Sequence, residues 1–161
     1  MYAKVVSLDD FKKIRESQSL GKIVCTSGGF DPIHPGHMSC ICESKKYGDT
    51  LVVIVNGDNF LKNKKGKPFM DLETRVKIVS FLSDIDYVIP FEIEDDSSVV
   101  VALEAIRPHV FTKGGDRNID NIPEADTIRK YNIEIVHNVG LPKYWSSSDF
   151  LRDWSDFTNG K

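Results

Sequence analysis

The chain has 161 residues, 40% hydrophobic and 28% charged, with 21 lysines and arginines against 24 aspartates and glutamates. That length suits one domain with a real core, and a net charge of −3 excludes the broad basic surface of a general nucleic-acid binder. No apolar run approaches the roughly 18 residues of a membrane helix, and Asp9 and Asp10 follow too soon for a signal peptide, so a cytoplasmic protein with no membrane partner is expected.

Ser7 followed by Asp10 reads as a helix start, with Leu8, Phe11 and Ile14 as a short apolar stripe ending near Gly21. Residues 1–21 are therefore expected to be an N-terminal helical extension, and residues 22–154 the core of a single domain. Ile23 to Thr26 reads as a buried strand, followed by a glycine turn and a helix from Pro35 to about Tyr47. Leu51 to Val55 is a second strand, followed by a lysine-rich loop from Leu61 to Pro68. Asp71 caps a helix carrying Leu72, Val76, Val79 and Leu82, and Tyr87 to Ile89 is a third strand. A helix over Ser98–Ile106, a strand at Val110–Thr112, a helix over Glu124–Tyr131 and a strand at Ile133–Val136 follow. A last helix starts near Ser147 or Ser148 and runs through Phe150, Leu151 and Trp154.

The strands are continuous apolar runs without polar alternation, which suits a sheet covered on both faces. Their regular alternation with helices predicts a Rossmann-like three-layer α/β/α fold with a five-stranded parallel sheet. Ligands in such sheets lie beyond the carboxyl ends of the strands. Three of those ends carry polar or glycine-rich residues: Gly28 to His37, Asn56 to Asp58, and Lys113 to Arg117. The three cysteines, Cys25, Cys40 and Cys42, have no paired spacing and read as buried or half-buried free thiols.

The stretch Gly28-Gly29-Phe30-Asp31-Pro32-Ile33-His34-Pro35-Gly36-His37 carries the chemistry. Two glycines after a strand allow a sharp turn and a close ligand. Gly36 falls in the first turn of the next helix, where unpaired N–H groups and the positive helix end favour an anion. His34 and His37 are three apart, so both can face that opening and offer N–H donors to phosphate oxygens.

Gly29-Phe30-Asp31 followed by His34-Pro35-Gly36-His37 resembles the signature of the cytidylyltransferase-like nucleotidyltransferase superfamily, over about Ile23 to Leu151. Val110 to Arg117, with Lys113-Gly114-Gly115-Asp116, is similar to the nucleotidyltransferase domain of bacterial bifunctional heptose enzymes. Glycerol-3-phosphate cytidylyltransferases are the next resemblance. It implies that His34, His37 and Lys64 act on the triphosphate. Gly29, Phe30, Pro35, Gly36, Lys67, Gly114, Gly115 and Asp116 would line the nucleotide site. Ser146-Ser147-Ser148 matches a family motif opening the last helix, where hydroxyls and N–H groups would grip phosphates. Cytidylyltransferases carry an arginine-containing segment just before that motif; here Leu141 to Trp145 is shorter and offers Lys143. Tyr144 and Trp145 are candidates to stack on the base or to pack the loop. Asp31, Asp58 and Arg75 are the candidates for the acceptor side, Arg75 equally a structural ion pair and Asp31 equally a turn residue.

The resemblance thus implies transfer of a nucleotidyl group from a nucleoside triphosphate, CTP before ATP, to a phosphorylated sugar or alcohol. Mg²⁺ would be held by the triphosphate and water, because no carboxylate cluster with metal-ligand spacing is evident. A homodimer is carried over from relatives. Rival readings are a catalytically silent nucleotide-binding regulator, a dehydrogenase and a zinc hydrolase. Gly28-Gly29 does not complete G-x-G-x-x-G, and His34 and His37 lack a third ligand at a sensible spacing.

Overall fold

The computed structural model describes residues 2–94, 98–115 and 122–160. In chain order the elements are β1 (Lys4–Val5), α1 (Leu8–Ser17), β2 (Ile23–Gly28), α2 (Pro35–Ser44), β3 (Thr50–Asn56), α3 (Asp58–Lys65) and α4 (Leu72–Ser80). They continue with β4 (Tyr87–Phe91), α5 (Val100–Ile106), β5 (Val110–Thr112), α6 (Ala125–Lys130), β6 (Glu134–Val136) and α7 (Ser147–Asn159). A 3-10 turn, Lys45–Tyr47, follows α2.

The strands form one sheet in the order β1-β4-β3-β2-β5-β6, and every pairing is parallel. The central strand β3 is buried along its whole length, which explains its unbroken Leu-Val-Val-Ile-Val run. Alternate side chains feed two cores. On one face Cys25, Val52, Ile54 and Phe111 meet Phe11, Leu103, Ile106 and Ile128 from α1, α5 and α6. On the other, Val24, Leu51, Val53 and Val110 meet Ile41, Val76 and Val79 from α2 and α4. The result is the expected three-layer, Rossmann-like architecture.

The structure differs from the sequence expectation in three places. The sheet has six strands rather than five, because the exposed pair Lys4–Val5 adds beside β4. Two exposed residues carry no period, and backbone bonds to distant groups, Lys4 N–H to the Asp86 carbonyl at 2.9 Å and Val6 N–H to the Val88 carbonyl at 3.0 Å, fix them. The lysine-rich segment is mostly helix rather than loop. Lysine is a good helix former, three lysines in the last turn suit the helix dipole, and Gly66 closes the helix at φ +92°. Its start is secured by Glu92, whose carboxylate accepts the N–H groups of Asp58 at 2.6 Å and Asn59 at 3.1 Å. Finally, Cys42 is exposed, whereas Cys25 is buried and Cys40 intermediate.

Chain direction across the sheet reverses at β2. From there β3 and β4 lie to one side, and β5 and β6 to the other. The gap between the carboxyl ends of β2 and β5 is therefore the topological switch point.

Candidate functional site

The loop leaving β2 delivers the first two site residues in a strained conformation. Phe30 has φ 53°, a left-handed conformation that a bulky side chain rarely adopts and that costs on the order of 1–3 kcal/mol. Burial of its ring at 5% exposure offsets that cost. The ring stands edge-on to His37, with centroids 5.2 Å apart, so the turn sets one wall of the histidine pair.

His34 is the N-cap of α2, and Pro35 occupies the first helical turn, where its missing N–H is no loss. The His34 Nδ1 accepts the His37 N–H at 3.3 Å. The two imidazoles stack with centroids 3.6 Å apart and planes 17° from parallel. Gly36 permits this: a Cβ there would lie 3.0 Å from His34 Cε1 and 3.8 Å from the Trp145 ring. The His37 Nδ1 is buried and has no hydrogen-bond partner, a state that costs about 1–3 kcal/mol. An anion's oxygen over this helix end would face both rings and the first-turn N–H groups.

Electrostatics prepares the same spot. Burial, then neighbouring His34, Lys64 and Lys65, push the His37 pKa down from 6.5 to about 3. Burial also lowers His34. Both rings are neutral donors in the ligand-free protein, surrounded by positive potential that a polyanion would relieve. Between pH 6.5 and 3 the unfolded chain holds a proton on residue 37 that the folded chain has shed, so stability falls as pH drops through that window. We expect His37→Gln to flatten the acid limb of the stability curve measured by urea unfolding; an unchanged slope would contradict the buried, neutral imidazole.

Lys64 belongs to the exposed face of α3, with its ammonium 5.9 Å from the Phe60 ring centre, and is close enough to His37 to depress it. Lys67 is exposed beyond the end of α3. Lys65, which the sequence did not single out, pairs with Asp31 at 2.9 Å and also donates to the Asp31 carbonyl. Asp31 itself is 2% exposed and accepts the N–H groups of Phe69 at 2.7 Å and Met70 at 2.8 Å. Its carboxylate therefore ties the segment after α3 to the histidine loop. Arg75 is wholly buried. It donates to the carbonyls of Met70 (2.9 Å), Gly29 (2.8 Å) and Asn56 (2.6 Å), and to Asp58 at 2.7 Å. It pins the ends of β2 and β3 from behind, with Asp58 part of the same network.

On the other flank, Gly114 and Gly115 follow β5, and a Cβ on Gly114 would lie 3.7 Å from Cys40 Sγ of α2. Asp116 lies outside the described residues. Of the serine triplet, Ser146 caps α7 by accepting the Asp149 N–H at 3.3 Å. Ser147 donates to the Pro32 carbonyl at 2.8 Å, and Ser148 is exposed. Lys143 is exposed on the segment leading into α7. The Ser147 bond brings the N-terminus of α7 to the histidine loop, and Phe150 one turn later lies 6.3 Å from the His34 ring. The structure thus gathers Gly29, Phe30, His34, Gly36, His37, Lys64 and Ser147 at one opening, and turns Asp31, Asp58 and Arg75 to its support.

Three comparisons bear on this geometry. The sequence model of the family described as cytidylyltransferase-like matches residues 25–152. Among curated proteins, the bifunctional protein HldE of Alcanivorax borkumensis is 34% identical over 125 residues, covering 76% of this chain and 26% of that protein. HldE of Blochmanniella floridana is 43% identical over 103 residues, covering 63% and 21%. The chain thus spans about a quarter of the length of these curated relatives. Among solved structures, a lipopolysaccharide core biosynthesis protein from Thermoplasma volcanium GSS1 is 30% identical, with a TM-score of 0.64 over 76% of this chain and 99% of that one. A pantoate-beta-alanine ligase from Francisella tularensis, 17% identical, shares the fold over 92% of this chain and 73% of its own, with a TM-score of 0.64.

Proposed function

The chain belongs to the cytidylyltransferase-like nucleotidyltransferase superfamily, and on that footing we propose that it joins a nucleoside monophosphate unit to a phosphorylated sugar or alcohol. The donor is a nucleoside triphosphate, CTP first and ATP as the competing reading, and the products are the NDP-linked acceptor and pyrophosphate. The observation that carries this is the stacked His34–His37 pair at the N-terminus of α2, with a buried His37 nitrogen left without a partner.

The acceptor's phosphate has a second pKa of about 6, so at neutral pH it is mostly dianionic and attacks without a general base. One of its oxygens forms a bond to the α-phosphorus, and the bond from that phosphorus to the bridging oxygen breaks, releasing pyrophosphate. What the protein supplies is alignment of two repelling anions and neutralisation of the departing charge. His34 and His37 donate to phosphate oxygens, Lys64 adds a cation, and the N-termini of α2 and α7 add backbone donors. Lys67, Lys143 and Ser148 are exposed and belong to the same reading as further ligands of the polyphosphate. Asp31 and Arg75 are positioning residues that hold the loop from beneath. Among the described residues no group of three or more His, Cys, Asp or Glu could hold a metal ion. In this reading Mg²⁺ would be bound by triphosphate oxygens and water, where it would neutralise charge. A cytoplasmic homodimer is part of the same proposal.

The test is a screen of the four ribonucleoside triphosphates against phosphorylated sugars and alcohols, followed by pyrophosphate release. Release with one donor and one acceptor class is expected. Triphosphate binding with no release from any pair would favour a silent regulator.

A further inference from the structure

Two ion pairs built on buried residues close to hydrogen-bonding distance, Lys65–Asp31 at 2.9 Å and Arg75–Asp58 at 2.7 Å. A third does not. Lys113, the first residue after β5, holds its ammonium 4.0 Å from Glu124 Oε2, although the two side chains are only 16% and 5% exposed. Glu124 stands at the N-cap position of α6, and its Oε1 accepts the Val99 N–H at the head of α5 at 3.1 Å. Its Oε2 is buried and has no hydrogen-bond partner. An unpaired buried carboxylate oxygen costs stability, so stability alone does not account for this carboxylate.

Its place supplies the other reason. Beyond Lys113 the backbone passes into Gly114 and Gly115, at the carboxyl end of β5. Toward β6 this turn is tied by backbone bonds: Lys113 N–H to the Val136 carbonyl at 2.8 Å, Val139 N–H to the Lys113 carbonyl at 3.1 Å, and Asn138 N–H to the Gly115 carbonyl at 2.9 Å. Toward α2, a Cβ on Gly114 would lie 3.7 Å from Cys40 Sγ, and Cys40 is one helical turn beyond His37. The remaining side is that of α5 and α6. There the Lys113 ammonium lies 4.8 Å from the Phe111 ring centre, Phe111 packs in the core with Leu103, Ile106 and Ile128, and Glu124 holds the ammonium from the start of α6.

We propose that Glu124 and Lys113 are positioning residues for the nucleoside half of the triphosphate: the carboxylate fixes the ammonium, and the lysine stem fixes the Gly114–Gly115 turn from its α5–α6 side. This rests on the nucleotidyltransferase reading of the site. A nucleoside joined to a phosphate at the head of α2 has this turn as its neighbour, one helical turn along. Its polyphosphate is met by His34, His37 and Lys64 and does not depend on the turn. Neither Glu124 nor Lys113 has to touch the ligand. Groups that bind a ligand must be held to within about 0.5 Å by the residues behind them, and a glycine pair has no side chains of its own to supply that support.

Calorimetric titration of the full chain with CTP, ATP and inorganic tripolyphosphate tests this without turnover. Lys113→Met and Glu124→Gln are each expected to weaken the tighter-binding nucleotide by about ten-fold. Tripolyphosphate affinity should hold within about three-fold. Each single variant leaves one buried charge without its partner and should lower the urea midpoint, whereas the double variant removes both charges and should recover it. Nucleotide affinity should stay about ten-fold down in the double variant, because the turn has lost its support while the fold has not. A pair with only a structural role would give back stability and affinity together. Nucleotide affinity that is unchanged in the variants, that returns in the double variant, or that falls in parallel with tripolyphosphate would overturn the proposal. A wild-type chain that binds none of the three ligands would remove the anion site and the nucleotidyltransferase reading with it. The expected affinities with no pyrophosphate released from any substrate pair would remove the reaction and leave the positioning role.

Discussion

Replacing His37 with alanine is expected to lower turnover by about 10²–10³-fold while the protein stays folded. The reasoning is geometric. The His37 ring lies between Phe30 and His34, and its buried Nδ1 has no partner within the protein, so its removal strands no other group. A donor aimed at charge that develops during reaction contributes to the barrier rather than to stability. His34→Ala should lose a similar factor, with a small stability cost because His34 also caps α2. Initial-rate pyrophosphate release, paired with urea unfolding, separates the two effects. Near-normal release from the His37 variant would remove it from the reaction.

Arg75→Met should instead act on the fold. Four hydrogen bonds end on this wholly buried guanidinium, three on backbone carbonyls of different segments and one on Asp58. Methionine fills much of the volume but leaves those acceptors unsatisfied, and breaking a buried pair from one side costs about 3–5 kcal/mol. Since whole domains are stable by only about 5–15 kcal/mol, the urea midpoint should fall by a large fraction. Arg75→Lys should fall between wild type and Arg75→Met, because one ammonium cannot reproduce the planar fork. A variant as stable as wild type would mean that Arg75 serves the ligand rather than the scaffold.

These two residues also mark how far the sequence could be read. The histidine loop was legible because its parts are local: a strand, a glycine turn, a proline at the first helical position and two histidines three apart. The parallel sheet was legible for the same reason, since buried strands such as Leu51–Val55 announce themselves by composition. Arg75 sits at a helical position whose partners, Gly29 and Asn56, are 46 and 19 residues away, and nothing near it in sequence reveals that its charge is spent. Glu92 is similar: it caps α3 from 34 residues away, so the lysine run looked like a loop. Within that run, the lysine nearest the loop's core was Lys65, a distinction only the burial of Asp31 could draw. The exposure of α7 was hidden because Phe150 and Trp154 on an amphipathic helix normally report core packing. Here the helix buries none of them.

The most direct test follows the imidazole nitrogens of the four histidines by ¹⁵N NMR as a nucleoside triphosphate is added. The ring nitrogens of His34 and His37 should shift, and the His37 pKa should climb from about 3 as the polyanion settles against it. His109, bonded to the Ile23 N–H at 3.0 Å, and His137 should not move. Unmoved signals from residues 34 and 37 under saturating triphosphate would contradict an anion site at the head of α2.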